Sequence, residues 1–139
     1  MIFLTDTDFK GGIANAVLAK LRGVDDENLN ESEQLAISEL ASLRGRFDID
    51  GELKKVGTQR STEMVRMMVS ITIYYLYNTV IDDEIPERVD SNYKKEIKDI
   101  RSIAAGKTFS TLTLLTGSDG ASKSKFRWGG DAPRDNKIF

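Results

Sequence analysis

Apolar positions recur at helical spacing over the first hundred residues. Phe9, Ile13, Val17 and Leu21 fall every four residues, which puts them on one face and predicts a first helix from Thr5 to about Arg22. Thr5 or Thr7 can cap its start, and Asp6 and Asp8 suit its first turn. Gly11-Gly12 interrupts the pattern and allows two short pieces, while Gly23 is a natural stop. Val24 to Asn30 is polar and acidic and reads as a loop. A second helix is expected near Asn30, where Asn30 and Glu33 approximate a capping box and Ser32 is a rival cap. Its stripe is Ala36, Leu40, Leu43 and Phe47, widened by Ile37 and Ala41. Asp48 to Gly57 then reads as a turn-rich loop.

The third helix is capped by Ser61 or Thr62 and runs to about Asp82. Apolar residues from Met64 to Ile81 surround it almost completely, interrupted by Arg66. A helix apolar all round is buried all round, so this one is central or also faces another subunit. Pro86 opens a fourth helix at the position where its missing N–H costs nothing. Val89, Tyr93, Ile97, Ile100 and Ala104 form its inner stripe, and Arg88, Lys94, Lys95, Glu96, Lys98, Asp99 and Arg101 its solvated face. Gly106 closes it.

The texture changes after Gly106. Thr108 to Leu115 is Thr-rich and briefly alternates polar with apolar, as a strand or an extended arm does. Gly117-Ser118-Asp119-Gly120 is a turn or linker, and Ala121 to Phe139 shows no helical period. The expected fold is therefore all-α: a small bundle of about four helices over residues 1–106. An extended C-terminal arm, residues 107–139, follows and can include a short β segment.

Composition narrows the chemistry. The 139 residues suit one domain, with 40% hydrophobic and 30% charged residues and a net charge of −2. No global field points to nucleic acid or an anionic membrane. The N-terminal stretch meets Asp6 too early for an apolar signal core, and the window from Met64 to Ile81 is too polar for a membrane span. A soluble, intracellular protein is expected. Cys and His are both absent, which removes disulfides, thiol nucleophiles, Cys/His zinc sites and His general bases.

Individual clusters add little chemistry. Asp82-Asp83-Glu84 with Glu87 has oxygen ligands for a hard cation, but reads better as a solvated turn complementing the next helix. Asp48-Ile49-Asp50-Gly51 is too short before its glycine for an EF-hand, and position twelve is Gln59. No phosphate-binding glycine loop occurs, and no local signature supports a Ser-Lys pair. No catalytic residue, metal site or cofactor is expected.

Charge is unevenly spread. Nine acids face two arginines from Asp25 to Glu52, and six bases face three acids from Lys107 to Phe139. The two stretches can attract one another between copies of the chain, although chance segregation explains the pattern equally well. In the arm, Lys123, Lys125, Phe126, Arg127 and Trp128 interleave bases with aromatics, followed by Arg134 and Phe139. Aromatics and Arg dominate interface hot spots, so these seven residues read best as partner contacts of a docking arm. The rival reading is single-stranded nucleic-acid binding by stacking and phosphate contacts.

The order and spacing of several blocks resemble the phage Mu-type small head–tail adaptor family. The blocks are FLTDTDF from Phe3, an acidic loop, AISELASLRGRFDID ending at Asp50, the apolar helix with YYLY, PERVDSNYKKEIKDI, and AAGK at Ala104 to Lys107 after a helix carrying Tyr93. The resemblance runs from Phe3 to about Leu112. Gly11-Gly12 departs from the family pattern. The resemblance implies a structural virion protein at the head–tail junction, assembled in the host cytoplasm. Its expected partners are the portal protein, neighbouring copies of itself in a ring of about twelve, and a tail or stopper protein. DNA would pass through the ring's channel without sequence-specific binding, and the acidic Asp25–Glu52 segment would face that channel. A phage-encoded enzyme or lysis factor is the least favoured alternative.

Overall fold

In the computed structural model, residues 1–80 and 84–115 are described. They form an all-α bundle, with α1 at Asn15–Leu21, α2 at Glu27–Glu39, α3 at Ile49–Lys54, α4 at Thr62–Val80 and α5 at Glu87–Ala104. Short 3-10 turns occupy Asp6–Phe9, Val24–Asp26, Ala41–Leu43 and Gly57–Gln59. Extended pairing among the described residues is limited to one antiparallel bridge, Phe47 with Leu114.

Helix α4 is the axis of the bundle. It packs on α2 and α5, and less extensively on α1 and the Asp6–Phe9 turn. Met64, Met67, Met68, Ile71, Ile73 and Leu76 are buried, and the Ser61 hydroxyl accepts the Met64 amide to cap the helix start. Burial of each such side chain stabilises by about 1.5–3 kcal/mol, so this one helix dominates the apolar core. Coverage is incomplete, however. Val65, Val69, Tyr74, Tyr75 and Tyr77 are half-buried, and Arg66 is exposed. The helix is central, but the described residues alone do not bury it all round.

The first helical region divides at its glycines, as their position suggests. A turn at Asp6–Phe9 precedes α1, and Thr5 stands at the cap, its amide 2.7 Å from Asp8 Oδ2. Gly12 lies where an added Cβ would come 2.9 Å from Ile73 Cδ1, so the loop between the two pieces can press closely on α4. Phe9, Ile13 and Leu21 are buried as the stripe predicts.

Helix α2 starts at Glu27, three residues ahead of the expected Asn30 cap. The Arg22 carbonyl accepts both the Asn28 and the Leu29 amides, so backbone from the end of α1 satisfies amides that a side chain would otherwise cap. The helix stops at Glu39 rather than Phe47, yet Ala36, Leu40, Leu43 and Phe47 all remain buried. A 3-10 turn and further turns carry the stripe inward. The expected loop from Asp48 to Gly57 contains α3. Asp48 Oδ1 accepts the Gly51 amide at 3.1 Å as an N-cap, and buried Ile49 ties the short helix to the core.

Two polar residues interrupting apolar helices find each other. Glu96, expected on the solvated face of α5, is 3% exposed and meets Arg66 of α4 through two hydrogen bonds of 3.1 and 3.2 Å. A fork-like Arg–carboxylate pair satisfies both groups at the helix–helix boundary. Gly106, at φ +78°, ends α5, and the Lys107 amide donates to the Ser102 carbonyl. The packed body does not stop there. Leu112 is buried in the common core, so the chain stays on the bundle beyond the expected boundary at 106, as far as Leu115.

Candidate functional site

The seven expected contact residues, Lys123, Lys125, Phe126, Arg127, Trp128, Arg134 and Phe139, lie outside the described residues. So do Asp82 and Asp83 of the carboxylate cluster. What the structure does show is the platform from which the C-terminal segment departs.

That platform is built by two carboxylates. Glu63, in the first turn of α4, places Oε1 within 3.0 Å of the Ser110 hydroxyl, 3.0 Å of the Thr111 amide and 2.9 Å of the Thr111 hydroxyl. Glu52 of α3 is 2% exposed and accepts the Thr113 amide at 2.8 Å, with the Lys55 ammonium 3.2 Å from its other oxygen. Burial pushes the Glu52 carboxyl up, but the bonds from Thr113 and Lys55 outweigh it and hold the group below the usual carboxylate range. Two backbone bonds flank the Phe47–Leu114 bridge: Asp48 N to the Thr113 carbonyl, and Leu115 N to the Arg46 carbonyl. The Arg46 guanidinium also reaches the Ile103 carbonyl at 2.7 Å.

The anchored loop displays apolar surface. Phe109 is 85% exposed and Leu114 41% exposed. With Arg46, Phe47, Lys107 and Leu112 they line an open concavity of about 570 Å³. The Ser102 and Thr108 hydroxyls bond at 2.5 Å, so both sides of Phe109 are tied down. An aromatic held outward by a braced loop has the character of an interface anchor.

The acidic stretch does not form a single face. Glu33 is fully buried, accepting the amides of Ile2 at 2.5 Å, Phe3 at 3.0 Å and Leu4 at 2.8 Å. Glu52 is buried as above, Asp48 caps α3, Asp26 pairs with Arg22, and Asp50 pairs with Arg44. Glu39 accepts the Tyr93 hydroxyl at 2.7 Å. Asp25, Glu27 and Glu31 remain exposed, around the start of α2. Asp50 is exposed as well, beside Arg44, so the exposed acids of this stretch are split between the start of α2 and α3, while the others meet backbone amides, Arg22 or the Tyr93 hydroxyl.

Tyr93 stacks on Tyr74 with ring centroids 3.8 Å apart, and Tyr75 meets both edge-on. Burial, followed by the Glu39 carboxylate, raises the Tyr93 hydroxyl well above the ordinary phenol range. It therefore stays a protonated donor to Glu39, which suits a structural tie between α5 and α2.

Among the described residues, no group of three or more acids is placed to hold a metal ion, and no helix is long and apolar enough to cross a membrane. Comparison with protein-family models, curated proteins and solved structures finds no match.

Sequence reasoning missed the anchoring carboxylates. For Glu33 a signal was present: Leu29, Glu33, Ala36 and Leu40 step by 4, 3 and 4, so an acid stands on the inner stripe of α2. Glu96 stands likewise between Tyr93 and Ile100 on α5. A charged residue on an apolar stripe announces a buried partner, though not which one. Phe109 carried no such signal, because a single aromatic in a polar loop can equally turn inward.

Proposed function

We propose that this protein is a structural phage virion component, a head–tail adaptor. Copies of it form a ring beneath the portal, extend the DNA channel and dock the tail or stopper protein. The observation that carries this reading is the braced loop displaying Phe109 beside Leu114, at the root of the segment that holds Lys123 to Trp128. A rigid apolar anchor followed by a basic, aromatic segment suits docking onto a large partner. The family resemblance supplies the partner. The buried carboxylates Glu33, Glu52 and Glu96 serve the fold, meeting backbone amides, Lys55 or Arg66.

Binding to purified portal protein tests the reading. Full-length protein is expected to co-sediment with portal rings, and truncation after Gly120 or Phe109→Ala to weaken this by tenfold or more while leaving the helical circular dichroism intact. Failure of the full-length protein to bind portal and tail components alike refutes the reading. Binding of single-stranded DNA that falls steeply with salt, and is lost on truncation after Gly120, favours the nucleic-acid alternative carried by Lys123–Trp128.

A further inference from the structure

Two surfaces of the described chain complement each other and cannot meet within one molecule. The first is a face of α5. Tyr93 and Ile97, both half-buried, form with Lys94, Lys98 and Arg101 an open concavity of about 340 Å³. Lys94 is offset by Asp90 at 2.9 Å, while Lys98 and Arg101 enter no ion pair among the described residues. The site has an apolar floor and a cationic rim.

The second surface surrounds the start of α2. That helix contains no Lys or Arg. Glu27 and Glu31 share one exposed face four residues apart, and Asp25 is exposed just before them. Exposed apolar side chains lie close by: Val24 is 77% exposed, and Ile2 is 65% exposed with its amide bound to Glu33 of the same helix. This surface has apolar residues and an acidic rim.

Tyr93 is bonded to Glu39 in the last turn of α2. Glu27, in the first turn, is twelve residues away, about 18 Å along the helix axis. The cationic face of α5 and the acidic start of α2 therefore sit at different places on one molecule. We infer that the α5 face docks the acidic start of α2 on a second copy of this chain. The contact is heterologous, since each copy presents both halves, and it propagates from copy to copy. It deepens the adaptor reading and rests on it only for the biological setting. A nucleic-acid occupant fits less well. Its phosphates would find few cations, one of them already offset, and an apolar floor suits a protein surface better.

Charge reversal tests the contact. Wild-type protein is expected to self-associate with concentration in sedimentation velocity at low ionic strength, and less so at high salt. Lys98→Glu with Arg101→Glu, or Glu27→Lys with Glu31→Lys, should each weaken association by about tenfold or more, because like charges then face each other. An equimolar mixture of the two variants should associate again, since each restores the complement of the other. All four positions are exposed, and Gln at the same positions supplies a milder pair with unchanged thermal melting. Wild-type protein that stays monomeric throughout, reversals without effect, or a mixture that does not recover overturns the inference. Loss of single-stranded DNA binding in the Lys98/Arg101 variant, with no change in self-association, overturns it in favour of nucleic acid. Portal binding is scored separately. A variant that binds portal but no longer self-associates supports both readings, and recovery in the mixture without any portal binding refutes the adaptor alone.

Discussion

Helix α4 and the two flanking segments of the described chain share one apolar core, but the flanking segments are also held by amide–carboxylate bonds. Helix α4 lies in the core through Met64, Met67, Met68, Ile71 and Leu76, apolar side chains against apolar neighbours. Residues 2–4 and 110–113 bury Phe3, Leu4 and Leu112 in the same core, but a second set of bonds holds them as well. They are fastened by their backbone, with amides donated to Glu33, Glu63 and Glu52 on α2, α4 and α3. Arg60 adds a second clamp, reaching the Phe3 carbonyl at 3.1 Å and both oxygens of Asp8 at 2.7 and 3.0 Å. Apolar packing tolerates changes of detail but is sensitive to lost volume. A carboxylate holding amides gains geometry and directionality, but depends on its charge and on burial without competing water.

The strongest way to break this contrast is in α4. Leu76→Ala should cost about 2–5 kcal/mol by the lost transfer energy and the cavity left behind, read as a shift in the urea midpoint with little change in slope. Glu33→Ala is expected to come next. It strands the amides of Phe3 and Leu4 in a buried setting, at about 1–3 kcal/mol. The accompanying sign is fast hydrogen exchange at residues 2–4 while α4 stays protected. Equal exposure of both regions in that variant would mean that the anchored segment and the core open as one unit, which breaks the comparison.

Acid should separate the regions further. Burial pushes the Asp8 carboxyl up, but the Arg60 and Thr5 hydrogen bonds outweigh it and hold it low, as Glu52 is held by Thr113 and Lys55. A depressed folded pKa contributes stability above the ordinary carboxylate range, and that contribution is lost as pH falls through the folded value. Melting temperature should be flat near neutrality and fall below about pH 4, and Asp8→Asn with Glu52→Gln should flatten that limb. The smallest effect is expected from Tyr93→Phe. It removes one hydrogen bond to Glu39 but keeps the ring stack on Tyr74, at about 0.5–1.5 kcal/mol. Thermal melts at neutral pH would resolve it.

Much of the helical plan was legible because amphipathic stripes follow from covalent geometry alone. The Val89, Tyr93, Ile97 and Ile100 pattern lies on α5 as expected, with Pro86 at its N-cap and Gly106 just past its end. What misled were substitutes for familiar signals. A backbone carbonyl, that of Arg22, replaced a side-chain cap at the start of α2. The run Asp48-Ile49-Asp50-Gly51 looked like a loop because turn residues and a short capped helix share a composition. The candidate site was less legible. The braced loop at 108–115 depends on Glu52 and Glu63, tens of residues away in the chain, and no local pattern names such partners.

The sequence by itself determined a helical bundle with a central apolar helix, and it excluded cysteine and histidine chemistry, because residue identity and period need no tertiary context. Only the tertiary structure decided which acids are buried and which remain on the surface. It also decided that the chain past Gly106 stays on the bundle, and that Phe109 points outward. The reason is physical. A carboxylate beside three amides and one in water are the same letter in the sequence, and only long-range packing sets the desolvation and the partners that tell them apart.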